Sequence, residues 1–383
     1  MANLTVEQLY RHPNIIGAYS QLKAPGTAFE DFYGMGPGGI TKRSPVPYFS
    51  VDIFNHTRRL SGFRAPKAGP ATVEPKPAGQ FSGHIARMHE KLRLLDNDIA
   101  QYRPRGGTVG TLDVMGQREV ADQTRIILQR FRNTREVCLA STFKGGYGVI
   151  TDGESLQVVA KGAGDYDVDS QVPSTNLTTV ESIFGSDSWD TTSTDIVGQF
   201  LDLNAHSERI SGFIQEYAWI NSQALKRLYN NTDIRAKVGT AVRIFEMQTG
   251  REISTIPDGR RQSGYMVKFA AIPQITFIVY DGVHNINKTE ADATTSSGNS
   301  TKIIPDGKMI VTPAPSSEWL GQVTCGEVVR ENRADNNPQF RYGFYNWVEP
   351  CTQPGGRELI FVDWFLHWLK IPSAVYYVDI YTP

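Results

Sequence analysis

Three groups of residues have types and spacings that could do chemistry. Asp165, Asp167 and Asp169 alternate like the first ligands of a calcium loop. Such a loop needs glycine at its sixth position and a bidentate glutamate at its twelfth, where this chain has Ser170 and Asn176. With Tyr166 and Val168 between them, the acids read as the wet face of a strand. Gly34-Met35-Gly36-Pro37-Gly38-Gly39 is glycine-rich, but it follows no clear strand, opens no helix and lacks the lysine and hydroxyl of a phosphate loop; it reads as a mobile arm. His84 and His89 are five apart, whereas two ligands on one helical face stand four apart. His367 sits among Trp364, Phe365 and Trp368 and reads as a packed core histidine. Cys138 falls on a helical stripe and reads as an inert, buried thiol. No nucleophile-elbow serine occurs. No cofactor and no metal are expected.

Any site needs elements to hold it, and the strongest is a helix from Asp113 to Phe143. Asp113 can cap its start. Val120, Ile127, Phe131, Cys138 and Phe143 form an apolar stripe, and Gly145-Gly146 ends it. Arg118, Arg125, Arg130, Arg132 and Arg135 mark a polar side, with Arg132 and Glu136 spaced to pair. At 1.5 Å per residue this rod is about 45 Å long, which suits a brace across a flat molecule. Strands are expected at Tyr48 to Phe54, at Tyr147 to Val159 around an Asp152-Gly153 turn, and at Phe213 to Ile220. Two more fall within Tyr265 to Tyr280, and others at Lys308 to Thr312, Leu359 to Val362 and Val375 to Tyr381. Thr194 or Asp195 can cap a helix containing Phe200 and Leu203, and Ser222 can cap a shorter one through Leu225 and Leu228. Apolar residues at 85, 88, 92, 95 and 99 have helical spacing, but Leu92 and Leu94 also alternate like a strand. The pattern alone leaves both readings open.

Two stretches resist element assignment. The first ~45 residues scatter aromatic residues among prolines and glycines, as an arm would that wraps its own core or a neighbouring subunit. Between Arg58 and Lys76 stand five cations, Arg58, Arg59, Arg64, Lys67 and Lys76, with Glu74 as the one anion. Pro66, Pro70, Pro75 and Pro77 exclude a helix or central strand there. The segment is either a solvated linker or a projecting arm that lies on an acidic surface of a neighbour.

Bulk properties bound the function. In 383 residues, 40% are apolar and 21% charged, enough for two or three domains with real cores. A net charge of −1 argues against a dedicated nucleic-acid grip. Three scattered cysteines make neither a disulfide framework nor a zinc site. No run reaches the ~18 apolar residues of a membrane span, and Met1 to Ile16 lacks the apolar core of a signal peptide. Synthesis in the cytosol, with no membrane partner, is expected.

The order of these features resembles the lambda-type phage major capsid proteins, the major capsid protein E family. The matching landmarks are Pro75-Lys76-Pro77 in the basic loop, the helix residues Thr124 to Gln129 with the exit Phe143-Lys144-Gly145-Gly146-Tyr147, and Ala224 to Tyr229 after a strand. The most specific is Val279-Tyr280-Asp281-Gly282 followed, after a polar insertion, by Ile304-Pro305-Asp306-Gly307-Lys308-Met309-Ile310-Val311. The resemblance covers about Tyr48 to the C-terminus. The long polar insertion at Asn285 to Ser300 and the tryptophans Trp364 and Trp368 depart from it.

The resemblance implies an α+β, Hong Kong 97-like capsid fold. Residues 1–44 would be an N-terminal arm and 45–94 an extended two-stranded loop with a basic tip, favouring the strand reading near residue 90. Residues 95–170 and 341–383 would be a peripheral domain with a spine helix at about 113–145, and 171–340 an axial domain. The spine core would be Val120, Ile127, Phe131, Cys138 and Phe143, and Arg58, Arg59, Arg64, Lys67 and Lys76 would touch a neighbouring subunit. The implied function is the shell of a tailed phage: hexamers and pentamers closing an icosahedral capsid around DNA, assembled in the host cytoplasm. Partners would be the chain itself, a scaffolding protein, a portal, a possible decoration protein and, weakly, DNA. Alternatives are an encapsulin-like compartment shell, a phage tail or decoration protein, and an unrecognised hydrolase.

Overall fold

Two sheets, one of six strands and one of seven, carry most of the described strands. The computed structural model describes residues 27–36, 39, 42–53, 79–95, 114–151, 156–184, 188–238, 242–246, 252–253, 264–285, 300–329, 339–352 and 355–382. In chain order the first half gives α1 (Ala28–Tyr33), β1 (Lys42–Ser44), β2 (Tyr48–Ile53), β3 (Gly79–His84), β4 (Ala86–Leu95), α2 (Val114–Phe143), β5 (Gly146–Thr151), β6 (Leu156–Val159), β7 (Tyr166–Asp169), α3 (Val180–Phe184) and α4 (Ile196–Ser211). The second gives β8 (Tyr217–Ile220), α5 (Ser222–Asn230), α6 (Thr232–Val238), β9 (Val242–Glu246), β10 (Glu252–Ile253), β11 (Tyr265–Phe269), β12 (Thr276–Val279), β13 (Val283–Asn285) and β14 (Ser300–Lys302). It ends with β15 (Lys308–Thr312), β16 (Leu320–Val329), β17 (Gln339–Tyr342), β18 (Tyr345–Thr352), β19 (Gly355–Leu369) and β20 (Tyr376–Asp379).

Strand β19 organises the six-stranded sheet. Its 15 residues pair β4 along one edge, and β18 and then β16 along the other. β17 and β1 extend the sheet from β16. The ambiguous segment near residue 90 is thus strand β4, in register from Ala86 opposite Phe365 to Leu95 opposite Gly356. Its burial alternates: Ala86 and Met88 are buried, while His89, Lys91 and Arg93 are exposed. A ready edge on β19 satisfies the backbone groups of β4, and the helical reading loses.

Helix α2 lies on this sheet. Val120, Ile127, Phe131 and Cys138 join Phe81, Met88, Val323, Phe361 and Phe365 in one core. Phe143, at the far end, enters a different cluster with Trp219 and Trp319. The helix stops where Gly145 and Gly146 take φ of +102° and +121°. A Cβ on Gly146 would stand 2.2 Å from the Val168 carbonyl oxygen, so only glycine fits this turn into β5. The expected cap, Asp113, lies outside the described residues. So does the basic stretch holding Arg58, Arg59, Arg64, Lys67 and Lys76, which lies in sequence between β2 and β3, the two strands of a ribbon paired from Tyr48–His84 to Ile53–Gly79.

The seven-stranded sheet runs in the order β10-β9-β11-β12-β8-β15-β20, with β12 and β8 parallel. Helices α4 and α5 cover it with Phe200, Leu203, Ala224, Leu225 and Leu228. The expected strand from Phe213 shortens to Tyr217–Ile220. The expected Ser222 cap moves one residue back. Asn221 has the extended backbone, and its side chain accepts from the Ala224 N–H, so it is the N-cap. Asp195 caps α4 as its position suggests, accepting from the Gly198 N–H. The sheets do not divide at residue 340: β16 belongs with β19, and β20 pairs with β15 in the other sheet.

Candidate functional site

The short-range chemistry suggested by the sequence resolves into hairpin bracing. Asp165 accepts from the Thr151 N–H at 2.6 Å, Asp167 from the Gly162 N–H at 3.0 Å, and Asp169 pairs with Lys161 at 2.7 Å. The three carboxylates serve three separate partners around β5 and β7. No group of three or more His, Cys, Asp or Glu among the described residues could hold a metal. His84 packs beside Tyr48 and Tyr166, while His89 stacks on Trp347. His367 is fully buried, and burial with help from Arg135 pushes it down to about 3, keeping it neutral. Burial pushes the Cys138 thiol up to about 12, the opposite of what a reactive thiol needs. The described part of the glycine-rich segment is docked: Gly34 closes α1 at φ +66° and Met35 is buried.

A different constellation emerges under α1. The arginines expected on the polar side of α2 divide. Arg125 and Arg130 are exposed, whereas Arg132 and Arg135 are buried at 2% and 1% exposure. Arg132 does not use Glu136, four residues on; its Nε lies 2.7 Å from Glu30, and a terminal nitrogen contacts Asp31. Arg135 donates to both oxygens of Asp363 on β19, at 2.6 and 2.7 Å, and stands 3.6 Å from Glu30. This planar fork-to-carboxylate pairing is strong where water is absent.

Glu136 turns the other way. Its two oxygens accept the N–H groups of Phe29 and Glu30, each at 2.8 Å. Those are orphan donors of the first turn of α1, whose own cap position, Thr27, makes no side-chain cap bond. A carboxylate more than 100 residues away therefore caps this helix. Burial lifts Glu30 to about 7, against the pull of Arg135 and Arg132, and lifts Glu136 to about 8, against its backbone donors. Phe29 stacks on Trp219 of the seven-stranded sheet at 3.8 Å, and the Trp219 N–H donates to the Tyr33 hydroxyl. α1 is therefore a wedge that ties α2 and β19 to the second sheet. The sequence held a signal for this: residues 131, 135, 138 and 142 fall on one helical stripe, so Arg135 stands on the apolar face, not opposite it.

The two most specific sequence landmarks also meet. The Tyr280 N–H donates to the Ile220 carbonyl, and the Ser222 N–H donates to Asp281 at 3.0 Å. From the other landmark, Asp306 accepts from Asn221 and Lys302, each at 2.7 Å, and the Ile303 N–H donates to the Gly282 carbonyl. Both motifs hold the turn from β8 into α5, a bracing role with no reactive group left over.

A family model described as phage major capsid protein E matches residues 23–331. The chain belongs to that family. These are structural capsid proteins, not enzymes, so the capsid chain needs surfaces and braces where an enzyme needs a reactive pocket. Its mixed α+β fold resembles that of a putative prophage capsid protein from E. coli CFT073, at 11% identity, TM-score 0.51 and full coverage of both chains. A phage-related protein from Bordetella bronchiseptica RB50 aligns at 10% identity and TM-score 0.45 over 99% and 98% of the two chains. The SrpI encapsulin of Synechococcus elongatus PCC 7942 aligns at 10% and 0.41 over 88% and 84%. No curated protein matches the capsid chain in sequence. No described helix is long and apolar enough to cross a membrane.

Proposed function

We propose that this phage capsid protein is the subunit of a tailed-phage head, forming hexamers and pentamers that close an icosahedral shell around DNA. The observation that carries the reading is the 30-residue helix α2 laid along the β19 sheet, with the β2–β3 ribbon beside it, in a chain of the capsid family. In this reading α2 is the spine of a peripheral domain, residues 95–170 and 341–383. The axial domain is 171–340, with β16 lent to the first sheet and β20 returned to the second. Residues 1–44 are the arm, and 45–94 the extended loop, whose last strand, β4, is lent to the first sheet beside β19. The basic tip, with Arg58, Arg59, Arg64, Lys67 and Lys76, lies on an acidic surface of the adjacent subunit. Heterologous contacts of this kind close rings. A net charge of −1 suits a wall that neither grips DNA nor repels itself. Scaffolding protein, portal and a decoration protein are its expected partners, and the host cytoplasm its place of assembly.

Electron microscopy of the expressed full-length protein tests this reading. Closed shells or isolated capsomers are expected; tubes or free trimers would overturn it. Reversing Arg58, Arg59, Arg64 and Lys67 to glutamate should leave a folded subunit that forms no capsomers. Normal shells from that variant would remove the loop from the interface.

A further inference from the structure

Helix α1 is too short to persist unaided. It has six residues, and isolated helices below about 12 residues are marginal in water. Its dock is unusual in its charge count. Among the described residues, the fully buried ionic groups are the guanidinium groups of Arg132 and Arg135 against the carboxyls of Glu30, Glu136 and Asp363. Asp31, partly exposed, adds a further acid against Arg132. Among the described residues the buried set thus carries one more acid than base, and no other buried described residue supplies a positive charge there. His367, beside Arg135 on β19, is held neutral. Tyr33 on α1, Tyr280 after β12 and Cys138 on α2 are all shifted away from ionising by burial. Phe32 meets Tyr217, which burial also holds protonated.

We propose that α1 is a proton-held latch: it stays docked while one proton is shared between Glu30 and Glu136, and it is released when that proton leaves. The geometry makes these two carboxyls one unit, because Glu136 binds the backbone N–H of Glu30 itself at 2.8 Å. They titrate as a pair. When both ionise, three buried carboxylates face two guanidiniums, and the shortfall falls on the groups that hold α1. Undocking returns both acids to water and removes the repulsion.

The direction follows from linkage. Burial raises these carboxyls from 4.5 to about 7 and about 8, so docking takes up protons. Docking is strongest below about pH 4.5 and weakens as pH rises towards 8, by about tenfold per pH unit for each proton taken up. Release frees the segment that joins the N-terminal residues to β1, together with the wedge between the two sheets. The latch is independent of how the subunits assemble.

Hydrogen exchange of the full-length protein, read by mass spectrometry from pH 5 to pH 9, tests this. After correction for intrinsic exchange, protection of residues 28–33 should fall about tenfold per pH unit between pH 6 and 8, relative to residues 222–230 of α5. Glu30→Gln and Asp363→Asn each restore charge balance while keeping the Glu136 cap, and both should hold residues 28–33 protected with a flat profile. A wild-type profile that parallels α5 across the range would overturn the latch, as would an unchanged slope in both variants. Should the variants fail to fold, the wild-type series decides alone.

Discussion

The two main cores are built from opposite materials. The core over the seven-stranded sheet is apolar, and its helices carry their own start signals. Asp195 caps α4 and Asn221 caps α5 from the residue immediately before each helix. The region under α2 has an apolar core too, but it is joined to the rest of the molecule through a patch of buried charge. Its wedge helix is capped by Glu136, and Arg135 reaches 228 residues along the chain to Asp363. The first region is specified by near neighbours and hydrophobic area. The second depends on groups that gain nothing until distant segments have met. Apolar burial is non-directional and tolerant, whereas a buried ion pair is costly unless every partner is in place.

Changes that set charge against apolar burial should separate the regions most. Phe131, 1% exposed, packs between α2 and the six-stranded sheet. Phe131→Asp would bury an unpaired charge, at a cost of several kcal/mol, on the order of a domain's whole stability. No folded protein is expected by circular dichroism, and a soluble, native-like spectrum would contradict the packing of α2.

Arg135→Leu is next. It leaves Asp363 buried without its partner, and about 3–5 kcal/mol of stability should be lost, measured by urea denaturation. Adding Asp363→Leu removes the stranded charge and should recover part of that loss. A double variant no better than the single would show that the pair matters for shape, not charge. In the other region, Asn221→Ala should cost only about 1 kcal/mol, read as a shift in the denaturation midpoint, because one cap bond is lost from a helix held by apolar contacts. A loss as large as that of Arg135→Leu would erase the contrast between the two regions.

Much of the architecture was legible in the chain. The bounds of α2 follow from its stripe and from Gly145-Gly146, and the strands at Lys308–Thr312 and Tyr376–Asp379 follow from apolar, β-branched and aromatic runs, whereas Leu359 to Val362 marks only the middle of β19 and no strand is expected at β18. The shortened strand at Tyr217 and the cap at Asn221 were misplaced by a few residues, because capping depends on backbone geometry that composition shows weakly. Segment 86–95 could not be decided from its own residues, since the edge that makes it a strand belongs to β19, some 270 residues later.

The sequence by itself determined the period of each long element, the absence of local catalytic motifs and the order of landmarks that mark the capsid family. These are readable because they depend on spacing within a few turns or strand steps. Only the tertiary structure decided which charges lie inside. Arg132 and Glu136 look like a solvated helix face, and Arg135, though on the apolar stripe, gives no hint of its partner until α1 and Asp363 close over them. The physical reason is that a charge enters the interior only with its partners. Those partners stand more than a hundred residues away on either side of α2, where no local pattern connects them.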